Sequence, residues 1–227
     1  MSLIPDKNLY VVSSALRPLT GVWSPEQRFS QTVDTIKNIR EKDKNSIILI
    51  ADASVNPIPK NDIDILANLC DVYYDLSQNN DVRNLSLNRL QSMAETALLF
   101  HTFSNLRFEP FLKQCKRIFK ISGRTILEDK FDPEEHNIFG KYVFKKRIPT
   151  WMNDIRHDAS HLLITRMYSF CPSLLDNYLQ VSQKNFPLLN EIDFEHAHFV
   201  NIPKEYLVEF DNIHCWGWLS GGKIEHY

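Results

Sequence analysis

Several familiar signatures are missing from this chain of 227 residues. No CxxC pair occurs among Cys70, Cys115, Cys171 and Cys215, which argues against a zinc ribbon or a thioredoxin-type redox site. The four read instead as reduced, buried thiols of a cytosolic protein. There is no N-terminal apolar segment of signal-peptide type and no apolar run long enough to span a bilayer, so a cytoplasmic protein without a transmembrane segment is expected. Excess charge is missing too. Lysine and arginine number 26 against 28 acidic residues, and a net charge of −2 gives no global attraction to nucleic acid or anionic lipid. With no internal repeat, low-complexity stretch or linker, residues 1–227 read as one domain, large enough to bury its own core.

What is present is an alternation of strand and helix over the first 125 residues, which argues an α/β fold. Residues 8–16 form the first predicted strand, with Leu9, Tyr10, Val11 and Val12 running apolar as in a strand covered on both faces. Residues 24–43 form a helix. Ser24 suits the cap, Pro25 the first helical position, and Gln27 completes a capping box. Phe29, Val33, Ile36 and Ile39 then make its buried stripe. Residues 46–54 give a central strand that runs into Asp52, ending Ile50-Ala51-Asp52-Ala53-Ser54. Residues 61–69 read as a short helix with Ile63, Leu66 and Ala67 inward, 72–76 as a strand, and 78–84 as a polar loop. Residues 86–103 read as a second long helix, with Leu87, Leu90, Ala94, Ala97, Leu98 and His101 on one side. A fourth strand at 117–121 ends in Ser122-Gly123-Arg124. Further strands are expected at 141–148 and 161–167, the latter antiparallel, then a helix at 172–186 and a closing hairpin within 213–227.

An apolar strand running into a carboxylate is one way to build a nucleotide pocket, since ligands of open α/β sheets sit at the carboxyl ends of the strands. Val11-Val12-Ser13-Ser14 followed by Ile48-Leu49-Ile50-Ala51-Asp52-Ala53-Ser54 resembles the opening of the GT-A glycosyltransferases, especially the inverting family with an acidic second strand. The resemblance covers about the first 125 residues by pattern. It implies a mostly parallel, Rossmann-like sheet, with residues 1–125 as the half that binds the nucleotide sugar and 126–227 as the acceptor half. It implies that Asp52 contacts the base or ribose of a UDP- or GDP-sugar, with Ser13 and Ala15 as the opposite wall.

Such enzymes place a DxD motif after the fourth strand to hold a divalent metal. Here that place reads Phe119-Lys120-Ile121-Ser122-Gly123-Arg124, without a carboxylate pair. Either Arg124, with Lys120 and Ser122, neutralises the diphosphate directly, since a guanidinium matches phosphate geometry, or Mn²⁺ or Mg²⁺ is held elsewhere, for example through Asp75 or Asp81. The first alternative is favoured and no metal ligand is assigned. His196, His198, His214 and His226 have no spacing that fixes a metal site.

For the proton-accepting carboxylate of an inverting transfer, the resemblance points to a late acidic motif. Its counterpart is Glu191-Ile192-Asp193-Phe194-Glu195-His196, whose carboxylates would share one face if extended. Glu195 ranks first, before Asp193 and Glu191, and the bland alternative is a solvated face. Lys141, Lys145, Lys146 and Arg147 interleave with Tyr142 and Phe144 as a half-buried strand does. Trp216 and Trp218 suit either a sugar-stacking wall or the core. The implied function is sugar transfer to a glycan or other hydroxyl acceptor, in surface-polysaccharide or glycoprotein glycan synthesis. A noncatalytic sugar- or partner-binding module and a sugar nucleotidyltransferase stand as alternatives. The second needs a glycine-rich basic loop, for which Arg17-Pro18-Leu19-Thr20-Gly21 is sparse.

Overall fold

Continuous apolar runs form the most enclosed strands, as the absence of any solvated face requires. The computed structural model describes residues 5–154, 156–218 and 223–227. In it β1 (Lys7–Ser14) and β2 (Ile47–Asp52) lie parallel, Val11 beside Leu49. Between them runs α1 (Pro25–Lys42), whose start is fixed by a capping box: Ser24 accepts the Gln27 N–H, and the Gln27 side chain accepts the Ser24 N–H. Arg40 and Lys42 occupy its last turn, where the helix dipole favours cations.

The chain continues through α2 (Lys60–Leu69), β3 (Val72–Asp75), α3 (Asn80–Leu87), α4 (Gln91–Leu106), β4 (Cys115–Ser122), β5 (Thr125–Leu127) and β6 (Tyr142–Lys145). After these come β7 (Ile148–Pro149), β8 (His161–Leu162), β9 (Met167–Phe170), α5 (Leu175–Leu188), α6 (Phe194–Asn201), β10 (Leu207–Phe210), β11 (Cys215–Trp218) and β12 (Ile224–His226). The main sheet has the order β10-β6-β9-β4-β1-β2-β3. All its neighbours are parallel except β9, which runs antiparallel to both β4 and β6. A small antiparallel sheet, β12-β11-β5, flanks it.

Alternation along each strand divides the core between two faces. Tyr10, Val12, Ile48 and Ile50 pack with Ile36 and Ile39 of α1 and Leu66 of α2. Val11 and Leu49 face the other way, toward Leu98 and Phe103 of α4, Tyr178 of α5 and Phe194 of α6. On that side Phe103 meets the rings of Phe170 and Tyr178 at 5.5 and 4.7 Å. No helix among the described residues is long and apolar enough to cross a membrane.

Local readings failed where a short side-chain cap outweighed apolar patterning. Residues 78–84 are not a loop, because Asn79 caps α3 by accepting from the N–H groups of Asp81 and Val82. The helix expected over 86–103 is split, and Leu87 and Leu90 are exposed at the break. Ala67 of α2 is likewise exposed, leaving Leu66 as that helix's fully enclosed residue. The antiparallel strand of the main sheet falls at Met167–Phe170, and within 161–166 only His161–Leu162 is a strand, paired with Ile148–Pro149. Residues 191–195 are not extended either: Asp193 caps α6, so Glu191 and Glu195 lie on either side of a helix start. The hairpin in the tail is present as β11 and β12, while Gly221 and Gly222 lie outside the described residues.

The basic run at 141–147 is partnered along its length. Lys141 donates to Glu205 O, Lys145 to His226 O, and Lys146 and Arg147 pair with Asp211 and Glu209. Trp216 and Trp218, half-buried on β11, contact each other edge to face at 4.7 Å.

Candidate active site

The carboxyl ends of β1 and β4 approach closely because no side chain intervenes. The Gly123 N–H donates to Ser13 O at 2.8 Å, and Thr32 Oγ1 donates to Gly123 O at 3.1 Å. A Cβ on Gly123 would lie 2.9 Å from Thr32 Oγ1 and 3.3 Å from Ser13 O, so the approach requires glycine. Beyond this junction opens a cavity of about 220 Å³. Ser13, Ser14, Ala15, Ser122, Gly123 and Arg124 line its strand side, Arg28 and Thr32 come from α1, and Ala94, Glu95 and Leu98 come from α4. The loop from Pro18 to Gly21, with Ala53 and Val55 after β2, completes one flank. Ser86, Arg89 and Gln91 join that flank, where Gln91 Nε2 donates to Thr20 Oγ1 at 3.5 Å and Arg83 of α3 donates to Val55 O at 3.2 Å.

Three guanidinium groups face this space against one carboxylate. Arg28 Nη1 donates to Ala15 O at 3.2 Å, and a Cβ on Gly21 (φ +130°) would lie 2.5 Å from Arg28 Nη2, so the loop glycine leaves room for the group. Burial, then the charges of Arg166 and Arg28, push Arg124 down to about 10, which still leaves it cationic at neutral pH. Arg28 Nε and Arg124 Nη1 are buried and have no hydrogen-bond partner. Buried charged donors are costly unless an acceptor meets them. Both residues also line the cavity, so their positive charge makes it suited to an anion.

Glu95 is the acidic member. Its Oε1 accepts from Lys120 Nζ at 2.7 Å, and Lys120, 1% exposed, also donates to Thr165 O at 2.7 Å. Burial alone would raise the Glu95 carboxyl, but the Lys120 ammonium outweighs it and holds the group below the ordinary carboxylate range. Lys120 itself is thus placed behind the cavity wall, holding its acid.

The other expected residues are distributed differently. Ser13, Ala15, Ser122 and Arg124 all line the cavity. Asp52 is fully enclosed, and its two oxygens accept from Leu16 N at 3.1 Å and Ser54 N at 2.8 Å. It thereby ties the loop after β1 to the end of β2, without being among the cavity-lining residues. Glu191 is exposed and paired with Arg156, and Asp193 accepts from the His196 N–H as a helix cap. Glu195 accepts from Thr165 Oγ1 at 2.7 Å. Burial raises its carboxyl, with Thr165 offsetting part of the rise and the charges of Glu95 and Asp193 adding to it. None of these three lines the cavity, but Thr165 and Lys120 connect Glu195 to Glu95.

A divalent cation on a diphosphate calls for oxygen ligands. The end of β4 offers a guanidinium, and the one carboxylate of the cavity is held by Lys120, so these residues do not fit such an ion. Asp75 accepts from Ser77 N and Asp81 pairs with His101, both away from the lining. Among the described residues no group of three or more histidine, cysteine or acidic side chains is placed to hold a metal.

Arg28, Arg89 and Glu95 were not anticipated. The available signal for Glu95 was a single acid within the apolar stretch Ala94-Glu95-Thr96-Ala97-Leu98. Arg89 has a different history. It ends α3 in a Schellman motif, with Leu90 N–H bonded to Leu85 O and Arg89 N–H to Ser86 O. The left-handed position (φ 60°) of that motif usually holds glycine. Arg89→Gly is therefore expected to raise stability by up to about 1 kcal/mol in urea denaturation, and a loss of stability would show that the arginine side chain supports the turn.

Neither a family model nor a curated protein matches this sequence. Solved structures match its fold. Galactosyltransferase LgtC, in complex with donor and acceptor sugar analogues, superposes with a TM-score of 0.54 at 7% identity, over 90% of this chain and 73% of that one. Core-mannan synthase A of Aspergillus fumigatus, in its Mn/GDP form, gives 0.50 at 9% identity over 90% and 73%. Mouse xyloside xylosyltransferase 1, in its apo form, gives 0.50 at 10% over 91% and 85%. With a mostly parallel sheet, one antiparallel strand beside β4 and helices on both faces, the chain has the GT-A fold.

Proposed function

We propose that this protein is a glycosyltransferase that takes a sugar from a nucleoside diphosphate sugar, UDP- or GDP-linked, and transfers it to a hydroxyl of a glycan acceptor. The observation that carries this reading is the pair of guanidinium groups, Arg28 and Arg124, that line the cavity where β1 meets β4. In a GT-A fold that place suits the diphosphate. Two fixed cations there neutralise the charge that gathers on the departing diphosphate as the sugar–oxygen bond breaks, the role otherwise given to a metal. The acceptor oxygen forms the new bond to the anomeric carbon and releases its proton to a carboxylate. Glu195 is assigned that role, because of the late acids it is the one tied through Thr165 and Lys120 to the cavity wall. Asp52 serves the nucleoside wall by holding the Leu16 and Ser54 backbone.

Thermal shift with UDP, GDP and their sugars, in EDTA, tests the reading. At a ligand concentration of 100 times Kd, stabilisation is about 2.7 kcal/mol, roughly 5–10 °C for a chain of this size. Arg124→Met and Arg28→Met are each expected to weaken binding by about 10- to 100-fold, the worth of a charge-assisted hydrogen bond. No shift with any nucleotide sinks the proposal. One observation favours a noncatalytic binding module: no late carboxylate lines the cavity. Glu195→Gln decides between them, because a transferase keeps donor binding and loses turnover.

A further inference from the structure

Glu95 is an acid placed where the surrounding charge is positive, and its partner is internal to the fold. Lys120 takes one carboxylate oxygen, Oε1, while Oε2 has no hydrogen-bond partner among the described residues. The side chain is 37% exposed, and Glu95 is among the residues that line the cavity. Such a group repels phosphate and attracts hydroxyls, so within one cavity it marks a region different from that of Arg28 and Arg124.

Register locates the region. Lys120 on β4 stands opposite Val11 of β1 on one side and Tyr168 of β9 on the other. Glu95, bound to Lys120, therefore sits over the β4–β9 side of the sheet. Ala53 and Val55, which follow β2, form the far flank beyond β1. Arg124, leaving the end of β4, is close enough to feel the Glu95 charge. Ala53 and Val55 share that flank with Arg89, while Arg28 and Arg124 stand at the β1–β4 junction, and the single acid lies beside Arg124. In the nucleotide-sugar reading, an acid next to the diphosphate cations stands where the sugar follows.

Resting on the nucleotide-sugar reading above, we propose that Glu95 binds neighbouring hydroxyls of the transferred sugar, so that the donor is a nucleoside diphosphate carrying a neutral sugar with free vicinal hydroxyls. Lys120 acts as its positioning residue, fixing one oxygen and leaving the other for the ligand. The same ammonium keeps the carboxylate ionised, which suits an acceptor of hydrogen bonds and not a proton-taking base.

Isothermal titration calorimetry in EDTA, on the full chain and on Glu95→Gln, with UDP, GDP, UDP-glucose and GDP-mannose, separates the possibilities. Glutamine keeps an oxygen for Lys120, and a near-ultraviolet circular dichroism spectrum matching the wild type establishes that the variant's fold is intact. The expected result is a wild-type preference for one sugar nucleotide over its bare diphosphate. Glu95→Gln then binds the diphosphate as before and loses about 10- to 100-fold toward the sugar nucleotide. Equal losses for both ligands would place Glu95 on the nucleoside, and no loss for either would remove it from the site. Both results overturn the inference and leave the nucleotide-sugar reading standing. Failure of the wild-type chain to bind any of the four overturns that reading, and this one with it.

Discussion

Lys120→Met is expected to destabilise the fold by about 3 kcal/mol, the low end of the cost of removing one partner from a buried ion pair. The low end applies because Glu95 retains access to water through the cavity, with 37% of its side chain exposed. Lys120 has no such relief: it is 1% exposed and makes two bonds of 2.7 Å, to Glu95 Oε1 and Thr165 O. Methionine fills a comparable volume, so the loss comes from an uncompensated carboxylate and an unmet carbonyl, not from a void. The melting temperature should fall by roughly 6–12 °C. Adding Glu95→Gln removes the orphaned charge, and the double variant should recover part of the loss. If both variants unfold at the same urea concentration, the pair is not coupled and the account of Lys120 as a positioning residue fails.

Stability should also collapse on mild acidification, with buried histidines responsible. His136 is 2% exposed, its Nδ1 lying 3.0 Å from Ser169 Oγ, and burial followed by the Arg117 charge pushes it down to about 3. His198 is fully enclosed, with Nδ1 3.0 Å from Phe194 O and Nε2 lacking a partner. Burial pushes it to about 4, with the Phe194 contact opposing and Lys120 assisting. Both are neutral in the folded chain, while in the unfolded chain they take up protons near pH 6.5. Their contribution is complete above that value and is lost as pH falls from there toward 4 and then 3. Two such groups give a slope approaching about 2.7 kcal/mol per pH unit, or about 5 kcal/mol by pH 4.5. Asp52 and Glu195, raised by burial, bind protons more readily when folded and offset part of the loss toward the acid end. Urea midpoints from pH 7.5 to 4.5 would show the fall, and His198→Asn should reduce the slope by about half. A flat profile would mean that these imidazoles are protonated in place.

What could be read in the sequence was what local chemistry decides. The capping box at Ser24, the apolar runs of β1 and β2 and the tight end of β4 each depend on a few consecutive residues, and each is found where expected. Ser13, Ala15, Ser122 and Arg124 line one cavity, which lies at the strand ends of an open α/β sheet. Arg28 and Glu95 were hidden because their importance comes from the partner elements. Arg28 looks like one more polar residue on an amphipathic helix until the loop after β1 folds against it. Glu95 has meaning only once Lys120 arrives beside it from another strand. The acidic stretch around Asp193 was misjudged for the opposite reason. Its alternation is too short to distinguish strand from helix start, and a side chain accepting the His196 N–H settled the matter.

The junction that Gly123 allows has a bearing on how the molecule comes to be folded. The cavity floor exists only where β1 meets β4, with Leu9 set against Ile118 across most of the first half of the chain. By contrast β2, β3 and the helices between them can associate from near neighbours. Contacts so distant in sequence carry a heavy entropy of loop closure and form slowly. The two arginines are therefore brought together only once that pairing is made. The nucleotide affinity proposed above would then belong to the finished molecule and not to any compact intermediate, and a nucleotide present during refolding would have nothing to hold until the central pairing is made.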